Sequence, residues 1–413
     1  MTLSEALLED VKRMRVGLLL RRASRAVGRA VWPVIAVLTY PLVVLLRPLL
    51  LIRVSPIPAK RLGHFAARPG FYLAERQLGM HPEGSLDIFF LRPSKPVNQP
   101  LFEVFKRSLR FWQPAQHFYK IYKKMPGGAV HLGHPIGQKH GDLDADGVLA
   151  RTEPGVSLTD EEMERGWRIL EEQGIPRGSQ LICFHARSER YVRHIYRDRD
   201  RETVNSYKNS DIEDFLPALE LMAEKGYYAF RMSAVPEQPL PPRHPNIRDY
   251  ANEFRSEFMD LFLLANCRFM IANGSGPDAI CELFRRPVVF VSYAVLAGVH
   301  SWMPNVTIFK RYWIKDEQRV MTFPEAFEKD CHYILDTAVY AERGIELIPN
   351  TPEEIVAAVT EMEARIEGSW VESEANEKRQ ARFREIIAQH WLHGHPCNHI
   401  GAAFLEENAY LLE

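Results

Sequence analysis

A chain of 413 residues exceeds the roughly 250 to 300 at which one hydrophobic core stops growing, so two domains are expected. With 46% hydrophobic and 25% charged residues it is neither disordered nor fibrous, and five cysteines without a CxxC pair argue against a disulfide framework. The net charge of −1 hides an asymmetry: twelve Lys or Arg and no acid lie between Val11 and Ala74, leaving an acidic body from Glu75 onward. The basic segment is also the most apolar one, which points to an anionic membrane surface rather than to nucleic acid.

Leu3, Leu7, Leu8, Val11 and Met14 recur at helical spacing before a KRMR cluster. Ala30 to Leu46 then form 17 uncharged residues, the lower limit for a bilayer span, interrupted by Pro33 and Pro41. Seven basic residues precede this run and no small-residue cleavage site follows, which argues against a signal peptide. We read residues 1–55 as a membrane-associating segment, an interfacial helix followed by a broken, monotopic or re-entrant stretch. A single span and a core helix hairpin are the alternatives.

Residues 56–175 form a less legible unit with turns at HPEG, MPGG and LGHPIGQKHGD. From residue 176 to 350 strands alternate with helices. QLICFHAR is a strand leading into a charged loop (194–202). Ser210 and Glu213 have capping-box spacing before the helix IEDFLPALELMAEKG, which Gly226 ends. YYAFRM, RFMIAN and PVVFVSY are further strands, with NEFRSEFMDLFLLANC and PDAICELFRR as helices between them. This alternation predicts βαβ units and a parallel sheet, whose ligands bind at the carboxyl ends of the strands. His185 and Arg187, Arg231, Asn273 with Ser275, and Ser292 all stand at such ends. Residues 351–413 open with two charged amphipathic helices.

ANGSGPDAICELF (272–284) is the strongest local signal. Its glycines permit a tight turn, and the strand delivers Asn273, Gly274, Ser275 and Gly276 to a helix N-terminus, where free amides favour phosphate. A plain capping turn through Ser275 and Asp278 is the structural alternative. The same residues match G-x-G-x-x-A, but late in the chain and without an acid ending the next strand, which disfavours a dinucleotide cofactor. His185 and Arg187 leave their strand on one face and, with Arg231, would surround a diphosphate with donors. Arg187 pairing with Glu189 or Asp260 is the structural alternative.

Asp142, Asp144, Asp146 and Glu153 fall on calcium-loop positions, with Gly147 between them, but neither flank reads as a helix, and an acidic surface loop is the simpler reading. The tail 389–399 gathers His390, His393, His395, Cys397 and His399 at no standard zinc spacing. Asp249, Arg255 and Asp260 read as helix ion pairs. No metal and no cofactor are expected.

Several phrases, RLGHFA (61–66), YKNSDIEDFLPALELMAEKGYYAFRM (207–232), IRDYANEFRSEFMDLFLLANCRFMIANGSGPDAI (247–280), FRRPVVFVSY (284–293) and TPEEIVAAVTEME (351–363), resemble a family of bacterial glycosyltransferases found with surface-polysaccharide biosynthesis. The resemblance covers roughly residues 55–413. It departs at FHARSERYV, where Ser188 stands in place of an expected acid. His185-x-Arg187 is also similar to the H-x-R element of GT-B fucosyltransferases.

The resemblance implies an α/β, GT-B-like fold: two Rossmann-like domains with a cleft between them, an acceptor-side domain at 56–175, a nucleotide-sugar domain at 176–350, and C-terminal helices packing back across both. It implies a metal-independent transferase that moves a sugar from a nucleoside diphosphate to a glycan or lipid-linked acceptor at the cytoplasmic face of the inner membrane. His64 would be the base, with Glu75 and Asp87 as substitutes. His185, Arg187, Arg231 and the 273–276 turn would hold the diphosphate. A non-catalytic nucleotide- or carbohydrate-binding protein and an NAD-dependent sugar-modifying enzyme are the alternatives.

Overall fold

The computed structural model describes residues 27–133, 144, 146–188, 205–234, 238–241, 243–300, 303–388 and 397–413. The predicted helix at 3–14, the charged loop at 194–202, and Asp142, Glu189, His390, His393 and His395 lie outside them. The fold is α/β with parallel sheets, in two compact units.

The first unit holds residues 1–60, 79–96 and 106–135. Its strands β1 (Ile52–Pro58), β2 (Leu86–Arg92) and β3 (Arg110–Phe111) form a parallel sheet in that order. Arg53 and Asp87 are register partners, joined by two hydrogen bonds of 2.5 and 2.7 Å. Both are buried, so each would leave an uncompensated charge without the other. Helix α1 (Val27–Leu46) runs unbroken through Pro33 and Pro41, where an interruption is predicted. Each proline lacks one helical hydrogen bond, and packing of Ala36, Tyr40 and Val43 offsets the loss.

The second unit holds residues 61–78, 97–105 and 136–413. Its seven-stranded sheet is built on β4 (Leu181–His185), β5 (Tyr228–Arg231), β6 (Ile247–Arg248), β7 (Met270–Ala272), β8 (Val288–Tyr293), β9 (Val306–Phe309) and β10 (His399–Ile400). The order is β10-β9-β8-β7-β4-β5-β6, every pair parallel. The chain steps outward from β4 to β5 and β6, then returns to the other side of β4 for β7, β8 and β9. That is the doubly wound arrangement, with its topological switch point between β4 and β7. Leu181, Ile182, Cys183 and Phe184 are fully buried, as a strand covered on both faces requires.

Three helices of this unit position the site. They are α2 (Leu62–Gln77), α3 (Glu257–Asn266) and α4 (Asp278–Leu283). Further along, α5 (Pro352–Glu367) and α6 (Glu374–Ile387) are the two predicted C-terminal helices, and Thr351 and Glu354 form a reciprocal capping box at the start of α5. The box predicted at Ser210 and Glu213 does not form. Ser210 Oγ instead accepts a hydrogen bond from Asn273 at 3.1 Å, and a short 3-10 turn (Glu213–Phe215) leads into the helix Leu216–Glu224.

Candidate functional site

At the switch point of the second unit lies a cavity of about 500 Å³. Its walls come from the end of β4, the turn after β7, the 205–208 segment and the N-terminus of α2, all within this one unit. Six of the predicted residues line it: His64, His185, Arg187, Gly274, Ser275 and Gly276. Gly274 adopts φ +81°, and a Cβ there would meet the Tyr293 ring at 2.7 Å, so only glycine fits this turn. A Cβ on Gly276 would meet Gly63 N at 3.3 Å, and this close approach brings Arg61 and His64 to the cavity. His64 sits in the first turn of α2.

His185 Nδ1 lies 2.6 Å from the Met232 carbonyl and must donate to it, which fixes the tautomer and leaves Nε2 as the acceptor. Arg187 Nη1 donates to the Asn205 carbonyl. Arg231 and Asn273 do not line the cavity. Buried Arg231 donates to the Gln238 carbonyl at 2.6 Å and lies 3.5 Å from Asp249, so its charge is consumed within the sheet edge.

Asn273 is a bracket. Its oxygen accepts from the Arg187 amide at 3.1 Å, and its nitrogen donates to the Lys208 carbonyl at 2.5 Å. Ser292, at φ +48°, exchanges hydrogen bonds with Asn350 and serves the end of β8.

The residue that sequence reasoning missed is Lys208. It lines the cavity, and no carboxylate lies within ion-pair distance of it among the described residues. Burial, reinforced by the Arg187 charge, lowers its pKa to about 8, while Asp278 pulls the other way. The turn bearing it is held from several sides. Buried Lys310 donates to the Tyr207 and Asn209 carbonyls at 3.0 and 2.7 Å, and Thr337 accepts from the Tyr207 amide at 2.9 Å. Burial takes Lys310 down to about 8 as well.

Three acids share the cavity, each already engaged. Asp260 accepts from Arg255 at 2.7 Å and from Tyr250 at 2.9 Å, and burial raises it to about 6. Glu282 faces His300 Nδ1 at 2.5 Å. Asp278 accepts the Ser275 amide, the capping alternative of the sequence, so that amide is not open to phosphate. Burial raises Asp278 to about 7 against this bond. Its Oδ1 and the Ser275 hydroxyl are buried without a hydrogen-bond partner among the described residues, two polar atoms that a ligand would satisfy.

Among the described residues no group of three or more His, Cys, Asp or Glu is arranged to hold a metal ion. Asp144, a calcium-loop candidate, is buried and accepts the amides of Val148 and Leu149 at 2.9 and 2.7 Å, which takes both its oxygens. Asp87, a substitute base, is committed to Arg53. The G-x-G-x-x-A match follows β7 and not β4, the first strand of the sheet, and β8 ends in Ser292 and Tyr293 without an acid, contrary to a dinucleotide site.

No family model matches the chain, and no curated protein matches its sequence. Among solved structures it is similar to a glycosyl transferase family 9 protein from Veillonella parvula, with 10% identity over 75% of this chain and 96% of that one, at a TM-score of 0.41. It is similar to the ADP-heptose LPS heptosyltransferase II of E. coli, with 11% identity over 59% and 86%, at 0.33. TibC, an iron-containing dodecameric glycosyltransferase of enterotoxigenic E. coli, gives 15% identity over 59% and 61%, at 0.31. Likenesses this distant carry no functional argument.

Proposed function

We propose that the chain is a glycosyltransferase whose cavity at the β4–β7 switch point takes the nucleoside diphosphate of a sugar donor. The observation that carries this reading is Lys208, a half-buried cation lining the cavity beside Arg187 and Arg61, with no carboxylate within ion-pair distance among the described residues. Desolvated charge of this kind is costly unless an anion answers it, and a pyrophosphate bridging Lys208 and Arg187 would do so. His185, whose Nδ1–H is given to Met232, would complete the group by taking up a proton at Nε2 and donating it. The sequence resemblance to transferases of surface-polysaccharide biosynthesis points the same way.

A departing diphosphate gains one negative charge on the oxygen that leaves the sugar, on top of the two it already carries, and preorganised cations aimed at it lower the barrier without a metal ion. An inverting reaction also needs a base on the acceptor hydroxyl. His64 and His300 both line the cavity. His300 has the stronger claim, because Glu282 holds its Nδ1–H and so leaves Nε2 to take a proton. Transfer to a glycan or lipid-linked acceptor would take place at the cytoplasmic face of a bacterial inner membrane, where residues 1–55 associate.

Thermal unfolding with UDP, GDP, ADP, CMP and dTDP, followed by release of free nucleotide from the corresponding sugar donors, tests the proposal. One nucleotide should stabilise the protein and its donor should be slowly hydrolysed. Stabilisation without hydrolysis marks a binding protein, and no stabilisation by any of them removes the reading.

A further inference from the structure

Helix α1 has two faces of different fate. Trp32, Ala36, Tyr40 and Val43 turn inward onto the helix Ala115–Tyr122, where Tyr40 and Tyr122 pack with ring centroids 5.2 Å apart and Tyr40 donates to the Pro126 carbonyl at 2.6 Å. The opposite stripe, Val27, Val31, Val34, Leu38, Leu42 and Leu45, recurs at helical spacing and lies open. Leu38 is 73% and Leu45 75% exposed. Ten of the sixteen large hydrophobic residues exposed among the described residues lie between Val27 and Leu50. A patch so concentrated is a docking surface, not ordinary surface scatter.

The charge around it names the partner. The described part of this unit exposes eleven Lys or Arg and a single acid, Glu83. Three of the cations, Lys120, Lys123 and Lys124, belong to or directly follow the helix that α1 packs against. Trp112, 38% exposed, stands edge-on to Trp32 at 5.2 Å, the amphipathic aromatic pairing that suits a headgroup boundary.

We propose that α1 lies in the plane of an anionic lipid surface, its 27–45 stripe among the acyl chains and the unit's cations among the phosphates. Length alone would allow a span, since 20 residues reach about 30 Å. Its inward face decides otherwise. A span would carry the packed helix and its three lysines into hydrocarbon, or strip Tyr40 and Val43 from their partners. The inference is independent of the transferase reading and needs no nucleotide to test.

The full chain is sedimented with vesicles of phosphatidylcholine alone or mixed with phosphatidylglycerol. It should bind the anionic vesicles, and less so as ionic strength rises from about 0.1 to about 1 M, where the Debye length falls from about 10 to about 3 Å. Each lipid-buried leucine is worth about tenfold in partition, so Leu38→Glu with Leu42→Glu and Leu45→Glu should weaken binding by about a hundredfold or more while circular dichroism stays unchanged. Orientation is read with nitroxides at Val31→Cys, Leu38→Cys and Leu45→Cys in a Cys397→Ser background, the remaining cysteines being buried. These positions are about 10 Å apart along the axis. Equal, shallow depths support the in-plane helix. Depths that differ by about 10 Å, indifference to anionic lipid, or a lipid-free oligomer lost in the glutamate variant overturn it.

Discussion

Replacing Lys208 with methionine should make the protein more stable and blind to its ligand. Burial takes the folded pKa of Lys208 from 10.5 to about 8. Each unit is worth about 1.4 kcal/mol, so holding the charged form costs the ligand-free fold about 3.5 kcal/mol at most, and about 2 after water penetration is allowed for. The unfolded lysine keeps its proton up to 10.5, whereas the folded one releases it near 8. Between those values the unfolded state binds more protons, and wild-type stability should rise with pH. Below 8 the penalty is fully present. Lys208→Met should therefore gain about 2 kcal/mol in urea unfolding at pH 7 and nothing above 10.5. Wild-type protein at a nucleotide concentration about a hundred times Kd should gain about 2.7 kcal/mol, and the variant almost none. Loss of stability at pH 7 together with an intact nucleotide shift would refute the reasoning.

Arg187→Ala and Ser275→Arg should each abolish the nucleotide-induced shift with the fold retained, the first by removing a donor and the second by filling the cavity. Unchanged shifts in both would place the nucleotide elsewhere. Asp278 holds its proton up to about 7 in the fold but only to 3.8 unfolded, so between these values the folded state binds more protons and its contribution to stability declines as pH rises. Asp278→Asn, which preserves the acceptor for the Ser275 amide, should flatten that slope in urea titrations run across the window. His300→Ala and Glu282→Gln should slow donor turnover by about 10² to 10⁴ with nucleotide binding unchanged, as loss of a general base does. If His64→Ala does so instead, the base is on α2.

The strand order of the second unit was only half legible in the sequence. Periodicity marks β4, β5, β7 and β8 because each is a short apolar run between turns, and His185 and Arg187 stand out at the end of one. Nothing local says that β7 returns to the far side of β4, since that is decided by helices packing on both faces. The same blindness hid Lys208: within YKNSD it looks like any surface lysine. Only the brackets from Asn273, Thr337 and Lys310, distant in the chain, turn it inward. Arg231 shows the converse, because a strand-end arginine has no sequence mark that separates a ligand contact from the pair it makes with Asp249.

Three acids in a cavity proposed to take a diphosphate run against that proposal unless they are compensated, and their partners compensate them. Asp260 is neutralised by Arg255, and Glu282 points its charge at His300. Asp278 is raised by burial to about 7, so near neutrality it is protonated about half the time and its proton is available to an incoming oxygen. Lys208 has no carboxylate within ion-pair distance among the described residues. Among the described residues the cavity therefore offers an uncompensated positive charge at Lys208, while its acids are each compensated or partly protonated. An anion gains from the first and is not repelled by the second, and its arrival should raise the Lys208 pKa and the Asp278 pKa together. Nucleotide binding near pH 7.5 should accordingly take up protons. Titration calorimetry in two buffers of different ionisation heat measures that uptake directly, and proton release would mean that the anion sits away from both residues.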